Sequence, residues 1–178
     1  MKRYIPLILC ACLLFSAVAC SSGDQVFTHR ELTLTLDGSF RLLDEGETSV
    51  SYASIKKMQT VTVSYEEKEK LIQTEEDSDM SLKEYGELCL SDMLAQDAEQ
   101  KHESDKASPG AVKTHGEIVY FTYHRDADDV PYTCLATFHA TEDAFYTVTF
   151  SAPEEEFDAV QNDFFDMAEE IFFVKNNS

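Results

Sequence analysis

The chain reads as an α+β protein in which helices pack against an antiparallel β-sheet. Its patterned segments come in the order hairpins, helix, meander, helix, and such an order places strand faces and helix stripes against one another in layers. Three observations carry this reading. Apolar residues alternate with period two over 31–36 and again over 60–65. Two later segments combine a helix-start signature with apolar residues at helical spacing. Between them, three closely spaced apolar runs fill 118–150.

In order, residues 20–26 read as a polar tether, and a single domain is expected over 27–174. In Glu31–Leu36, Leu32, Leu34 and Leu36 face one way and Thr33 and Thr35 the other, the pattern of a half-buried strand. Asp37-Gly38 is a hairpin signal, with Phe40–Leu43 as the returning strand. Glu45-Gly46 makes a further turn and Val50–Ala53 a weak strand. Thr60–Tyr65 alternates again, with Val61, Val63 and Tyr65 on one face. Residues 66–80, acidic and polar, read as a loop.

Ser81 opens a helix with a capping box to Glu84, and Met80 and Tyr85 occupy the two positions of a hydrophobic staple. Leu82, Tyr85, Cys89 and Met93 form its inner stripe, which fades near Gln96. Residues 97–110 are a second polar loop, ending in Ser108-Pro109-Gly110. Ile118–Tyr123 is almost continuously apolar, which predicts a strand covered on both faces and central in its sheet. Tyr132–His139 and Phe145–Phe150 complete an antiparallel meander. A second capping box, Ser151 to Glu154, is expected to start the last helix, with Pro153 in its first turn and Glu154, Glu155 and Glu156 at the positive end of the helix dipole. Phe157, Val160, Phe164, Ala168 and Ile171 make its buried stripe, and Ile171–Val174 an extended tail.

The first 19 residues have a different character. Lys2 and Arg3 precede an apolar stretch from Ile5 to Phe15, about half of the ~20 residues a spanning helix needs, and Ala17-Val18-Ala19 fits a cleavage site. Cys20 follows at once, then Ser21, Ser22 and Gly23. This resembles the lipobox of bacterial lipoproteins. The resemblance implies that residues 1–19 are removed as a signal peptide. Cys20 then carries palmitate-type acyl chains and anchors the protein outside the cytoplasm on a bacterial cell membrane. Two or three chains give stable anchoring, since each buried methylene contributes ~0.8 kcal/mol.

Charge narrows the function classes. The chain holds 14 Lys+Arg and 34 Asp+Glu, a net −20; losing the two basic residues of 1–19 makes it −22. Phosphate recognition needs clustered Lys and Arg, so nucleic acid is excluded as a partner. An anionic lipid surface repels such a domain, which leaves the anchor to hold it there. Of five cysteines, Cys10 and Cys12 lie in the signal segment and Cys20 at its end. Cys89 and Cys134 remain, on positions suited to small buried hydrophobes, and are expected as free thiols.

The layout resembles the PsbP-like fold, an antiparallel sheet with helices on both sides. Two stretches carry the likeness: Leu34-Thr35-Leu36-Asp37-Gly38-Ser39-Phe40, and Tyr146-Thr147-Val148-Thr149-Phe150-Ser151-Ala152-Pro153-Glu154-Glu155-Glu156-Phe157. The resemblance implies a small extracytoplasmic lipoprotein that binds or assembles another protein and does not catalyse a reaction.

The segment His124-Arg125-Asp126-Ala127-Asp128-Asp129 bunches three carboxylates and an imidazole on an expected hairpin connection. Calcium takes oxygen ligands, but the EF-hand pattern puts an oxygen ligand near the fifth position, glycine at the sixth and glutamate at the twelfth, where this chain has Val130, Pro131 and Thr137. A solvated turn is the expectation, with no metal and no cofactor. His29, His102, His115, His124 and His139 show neither HxH nor HxxxH spacing. No G-x-S-x-G elbow occurs, and Cys89 reads as an inert buried thiol. The leading function is therefore a binding or assembly module with a protein partner. It predicts an exposed apolar patch on one face. The alternative is a cation- or solute-binding lipoprotein, and a hydrolase would require a concave pocket holding both a histidine and a carboxylate.

Overall fold

The computed structural model describes residues 23–71, 80–99, 109–127 and 130–174. Strands β1 (Gln25–His29), β2 (Leu32–Leu36) and β10 (Phe172–Phe173) form a small sheet in the order β1-β2-β10. The large sheet takes β3 (Arg41–Glu45), β4 (Ser49–Ser54), β5 (Gln59–Glu67), β6 (Lys113–His115), β7 (Ile118–Ala127), β8 (Val130–Ala140) and β9 (Ala144–Pro153) in the order β3-β4-β5-β9-β8-β7-β6. Every pairing is antiparallel. Three helices complete the described elements: α1 (Lys68–Leu71), α2 (Leu82–Glu99) and α3 (Glu154–Glu169). This is the α+β architecture that the sequence predicts.

Alternation along the strands sorts side chains to the two faces of the large sheet. On one face, Val61, Val63, Leu135, Tyr146, Val148 and Phe150 meet Phe157, Phe164, Phe165 and Ala168 of α3 and Leu32, Leu34 and Leu36 of the small sheet. On the other, Val119, Phe121, Ala136, Phe138 and Phe145 meet Tyr85 of α2, with Leu82, Cys89 and Met93 packed at the edge of that cluster. Helices thus cover both faces. The capping box of α2 is formed: Ser81 N donates to Glu84 Oε2 at 2.7 Å and Glu84 N to Ser81 Oγ at 3.3 Å. Gly86 sets how close α2 approaches, since a Cβ there would lie 3.0 Å from Phe138.

Several expectations change. Asp37-Gly38 does make a turn, with Phe40 N donating to Asp37 O at 3.1 Å and Ser39 N to Asp37 Oδ1 at 2.8 Å, but not a hairpin. Both edges of β2 are taken by β1 and β10, so the chain crosses to the large sheet, where β3 pairs with β4. Fully buried Phe40 sits at the crossing. Strand β1 begins at Gln25, two residues ahead of the expected domain start.

The expected loop over 66–80 begins as structure. Glu66 and Glu67 end β5, and Lys68–Leu71 form α1; residues 72–79, and 100–108 of the second loop, lie outside the described residues. Strand β7 is not central. It is next to the outermost strand β6, and β9 takes the middle. Its two-sided burial comes from contact with both α2 and α3. Ser151 is not a helix cap either. The β9 ladder claims it opposite Cys134 and Thr60, with its Oγ 2.8 Å from Thr60 Oγ1. The strand runs to Pro153, which caps α3 without a side-chain hydrogen bond. The tail after α3 is extended as expected, and becomes β10 against β2.

Candidate functional site

A cleft of about 570 Å³ opens at one end of the large sheet. Four separate stretches build it. The β6–β7 hairpin supplies Gly116, Glu117 and Ile118; the end of β8 supplies Phe138, His139 and Ala140; α3 and the chain after it supply Ala168, Glu169, Ile171 and Phe173; Leu82 enters from α2. His115 and Ile118 pair across the two-residue turn Gly116-Glu117. Gly116 has φ 58°, a left-handed conformation that costs glycine nothing. Glu169 Oε1 lies 3.7 Å from where a Gly116 Cβ would stand, so that carboxylate hangs over the turn. Ile118, Phe138 and Ala168 are buried and give the cleft an apolar floor.

His139 is the distinctive polar group. Thr137 Oγ1 donates its single proton to Val148 O at 3.2 Å. It must therefore accept from His139 Nε2, 3.1 Å away. That fixes the tautomer, with the proton on Nε2 and a bare lone pair on Nδ1. Burial pushes the imidazole down to about 4, so at neutral pH it is uncharged and Nδ1 is an acceptor. Glu117 and Glu169 are exposed at the rim. A histidine and two carboxylates thus share one concavity, a juxtaposition the sequence did not display. Among the described residues, the lining includes no serine, threonine or cysteine. This arrangement accepts hydrogen bonds and attracts positive charge; it offers no hydroxyl or thiol nucleophile.

A second feature lies at the opposite edge of the large sheet, on β3. Every residue of that strand is exposed, including Leu42 (54%) and Leu43 (64%). Its ladder to β4 shifts register between Leu42 and Asp44, so Leu43 is an extra residue in a bulge. The neighbouring β4–β5 turn exposes Ile55 (91%) and Met58 (48%). Met58 has φ 50°, and the turn is tied back by Lys57 Nζ to Asp37 Oδ2 at 2.7 Å.

The other residues singled out in the sequence are scattered. Cys20, His102, Asp128 and Asp129 lie outside the described residues. His124 to Ala127 belong to β7 rather than to a loop, because β7 and β8 stay paired as far as Ala127 and Val130. His124 Nδ1 is 3.0 Å from Thr133 Oγ1 and 3.7 Å from Glu154 Oε1. His115 stacks on Phe165 with centroids 4.2 Å apart. His29 is buried, and its Nε2 has no hydrogen-bond partner among the described residues. Cys89 and Cys134 are free thiols, and burial raises the pKa of each. Among the described residues no group of three or more His, Cys, Asp or Glu is placed to hold a metal ion.

No family model matches the chain, and no curated protein matches it in sequence. Solved structures do match. The solution structure of cyanobacterial PsbP from Synechocystis superposes with a TM-score of 0.59 at 16% identity, over 86% of this chain and 94% of that one. The Ran-binding protein Mog1p of Saccharomyces cerevisiae superposes with a TM-score of 0.55 at 10% identity, over 87% and 97%. The fold is therefore PsbP-like, as the two sequence stretches imply.

Proposed function

We propose that this chain works as a non-catalytic binding or assembly module for another protein, held outside the cytoplasm on a bacterial cell membrane by acyl chains on Cys20. The observation that carries the reading is the β3 edge. An exposed edge strand offers unpaired backbone groups to an incoming strand. Here it also offers Leu42 and Leu43, with Ile55 and Met58 on the next turn. That is an apolar patch next to an open ladder, and patches of this kind mark interaction surfaces. The yeast structural relative is a Ran-binding protein, so the scaffold is compatible with protein recognition. Support for the anchor is the run from Lys2 and Arg3 through Ile5–Phe15 to Ala17-Val18-Ala19-Cys20.

The test uses the full chain in a bacterial membrane. A photo-crosslinking residue at Leu43 is expected to give a discrete protein adduct that disappears with Leu42→Asp. The same residue at exposed Asp158 on α3 should give none. Equal adducts from both positions would remove the β3 edge from the reading. Intact mass of the membrane-extracted protein should begin at an acylated Cys20, and Cys20→Ser should move the protein to the soluble fraction. An unmodified cysteine there would overturn the anchor.

A further inference from the structure

We propose that the cleft at the β6–β7 turn is a second binding site, independent of the β3 edge, for an amphiphilic cation: an ammonium or guanidinium head on an aliphatic stem. Four features of the cleft converge on this ligand class.

Part of the wall is apolar and can receive a hydrocarbon stem. Ile118, Phe138 and Ala168 are buried beneath it, and Ile171 and Phe173 also line it. Among the described residues, every polar side chain in the lining is an acceptor or an anion (His139, Glu117 and Glu169), and no lysine or arginine lines it. A ligand that brings only acceptors or negative charge finds no side-chain donor there, whereas an ammonium brings three donors.

The backbone adds to the same sign. Ala168 and Glu169 are the last residues of α3, and the C-terminal end of a helix carries about half a negative charge. A basic side chain commonly answers that charge, but the last turn of α3 holds none. The negative end of the helix, the Glu169 carboxylate over Gly116 and the Glu117 carboxylate on the same turn therefore face one concavity.

His139 fits this environment in a particular way. Its proton is committed through Nε2 to Thr137, and Thr137 is committed to Val148. Nδ1 is left as the acceptor on a lining residue. Because burial keeps the ring neutral near pH 7, it adds an acceptor without adding a competing cation. A protonated histidine at the same place would repel the proposed head group.

The chemistry has two sources, a free organic amine or the lysine side chain of a partner segment, and one titration separates them. Amide shifts of the mature chain would be followed by NMR with n-hexylammonium, n-hexanol, hexanoate and N-acetyl-lysine methylamide. Hexylammonium is expected to shift Gly116, Ile118, Ala140 and Ala168 together, more strongly than hexanol, and hexanoate not at all. Glu117→Gln with Glu169→Gln should weaken hexylammonium about tenfold and leave hexanol unchanged, since the lost part is the charge-assisted interaction. Tighter binding of the lysine derivative than of hexylammonium would assign the site to a partner's side chain, and the reverse order to a free amine. Equal binding of hexanol and hexylammonium, shifts centred elsewhere, or no response to the double substitution would overturn the proposal.

Discussion

Met58 holds φ at 50°, a conformation that costs a non-glycine residue roughly 1–2 kcal/mol. It recovers little by burial, since about half of it is exposed. Glycine adopts the angle freely but gives up about 0.5–1 kcal/mol of chain entropy. Met58→Gly should therefore stabilise the fold by about 0.5 kcal/mol, read as a small rise in the denaturant midpoint. If the β3 edge binds a partner, the same substitution should reduce crosslinking at Leu43, because it removes apolar surface from the patch. Strain retained at a binding site is the ordinary reason to keep such a residue.

His139 gives a second prediction at this scale. Its folded pKa is lowered from 6.5 to about 4 by burial, so between those values the unfolded chain binds the proton and the folded one does not. Stability is then complete above about pH 6.5 and falls as pH drops toward 4. The loss between about pH 7 and about pH 5 should be about 2 kcal/mol. His29 is shifted the same way by its own burial. His139→Gln keeps a donor for Thr137 and should flatten most, not all, of the slope in urea titrations at the two pH values.

At the level of elements, Gly86 decides how α2 meets the sheet. In an isolated helix, alanine would be better than glycine by about 1 kcal/mol. Here the added methyl meets Phe138 at 3.0–3.1 Å. Phe138 has nowhere to yield, because Tyr85 and Phe121 pack against its ring. Gly86→Ala should therefore destabilise by about 1–2 kcal/mol despite its helix propensity, measured by chemical unfolding. A stabilised variant would show that α2 can move away from the sheet. The contrast explains which elements the sequence disclosed. The stripes 82/85/89/93 and 157/160/164/168/171 and the alternation at 32/34/36 and 61/63 are local, periodic signals, and the structure keeps them. Pairing is not local. Asp37-Gly38 looks like a hairpin until β10, more than a hundred residues later, takes the free edge of β2. Ser151 looks like a helix cap until Cys134 and Thr60 claim it from both sides. The same four-residue pattern at Ser81 is a cap because no strand competes for it. The cleft was illegible for a related reason. Its acceptors come from positions 117, 139 and 169, and only the folded topology brings them to one end of the sheet.

Across the whole molecule, charge is the feature read most directly from the sequence, and it should govern how the protein responds to salt. The chain carries 34 carboxylates against 14 basic residues, a net −20. The lysine–carboxylate pairs among the described residues lie at the surface: Lys57 with half-buried Asp37, and the exposed pairs Lys70 with Glu67 and Lys83 with Glu87. Exposed pairs each contribute at most about 1 kcal/mol. Self-repulsion of the excess carboxylates acts against the compact state, and salt screens it over a Debye length of about 10 Å at 0.1 M. The melting temperature should therefore rise, by about 3–8 °C, between about 0.02 M and about 0.5 M sodium chloride with a chelator present, an increment equivalent to about 1–2 kcal/mol. A fall would mean that the paired charges matter more than the unpaired ones. Binding in the cleft should show the opposite sign under the same titration. There the attraction between a cationic head and the Glu117 and Glu169 carboxylates is what salt weakens, so hexylammonium affinity should drop as the fold gains stability. A single salt series thus separates a general effect of net charge from a local one. A parallel rise in both quantities would indicate that hexylammonium is held by its hydrocarbon stem alone.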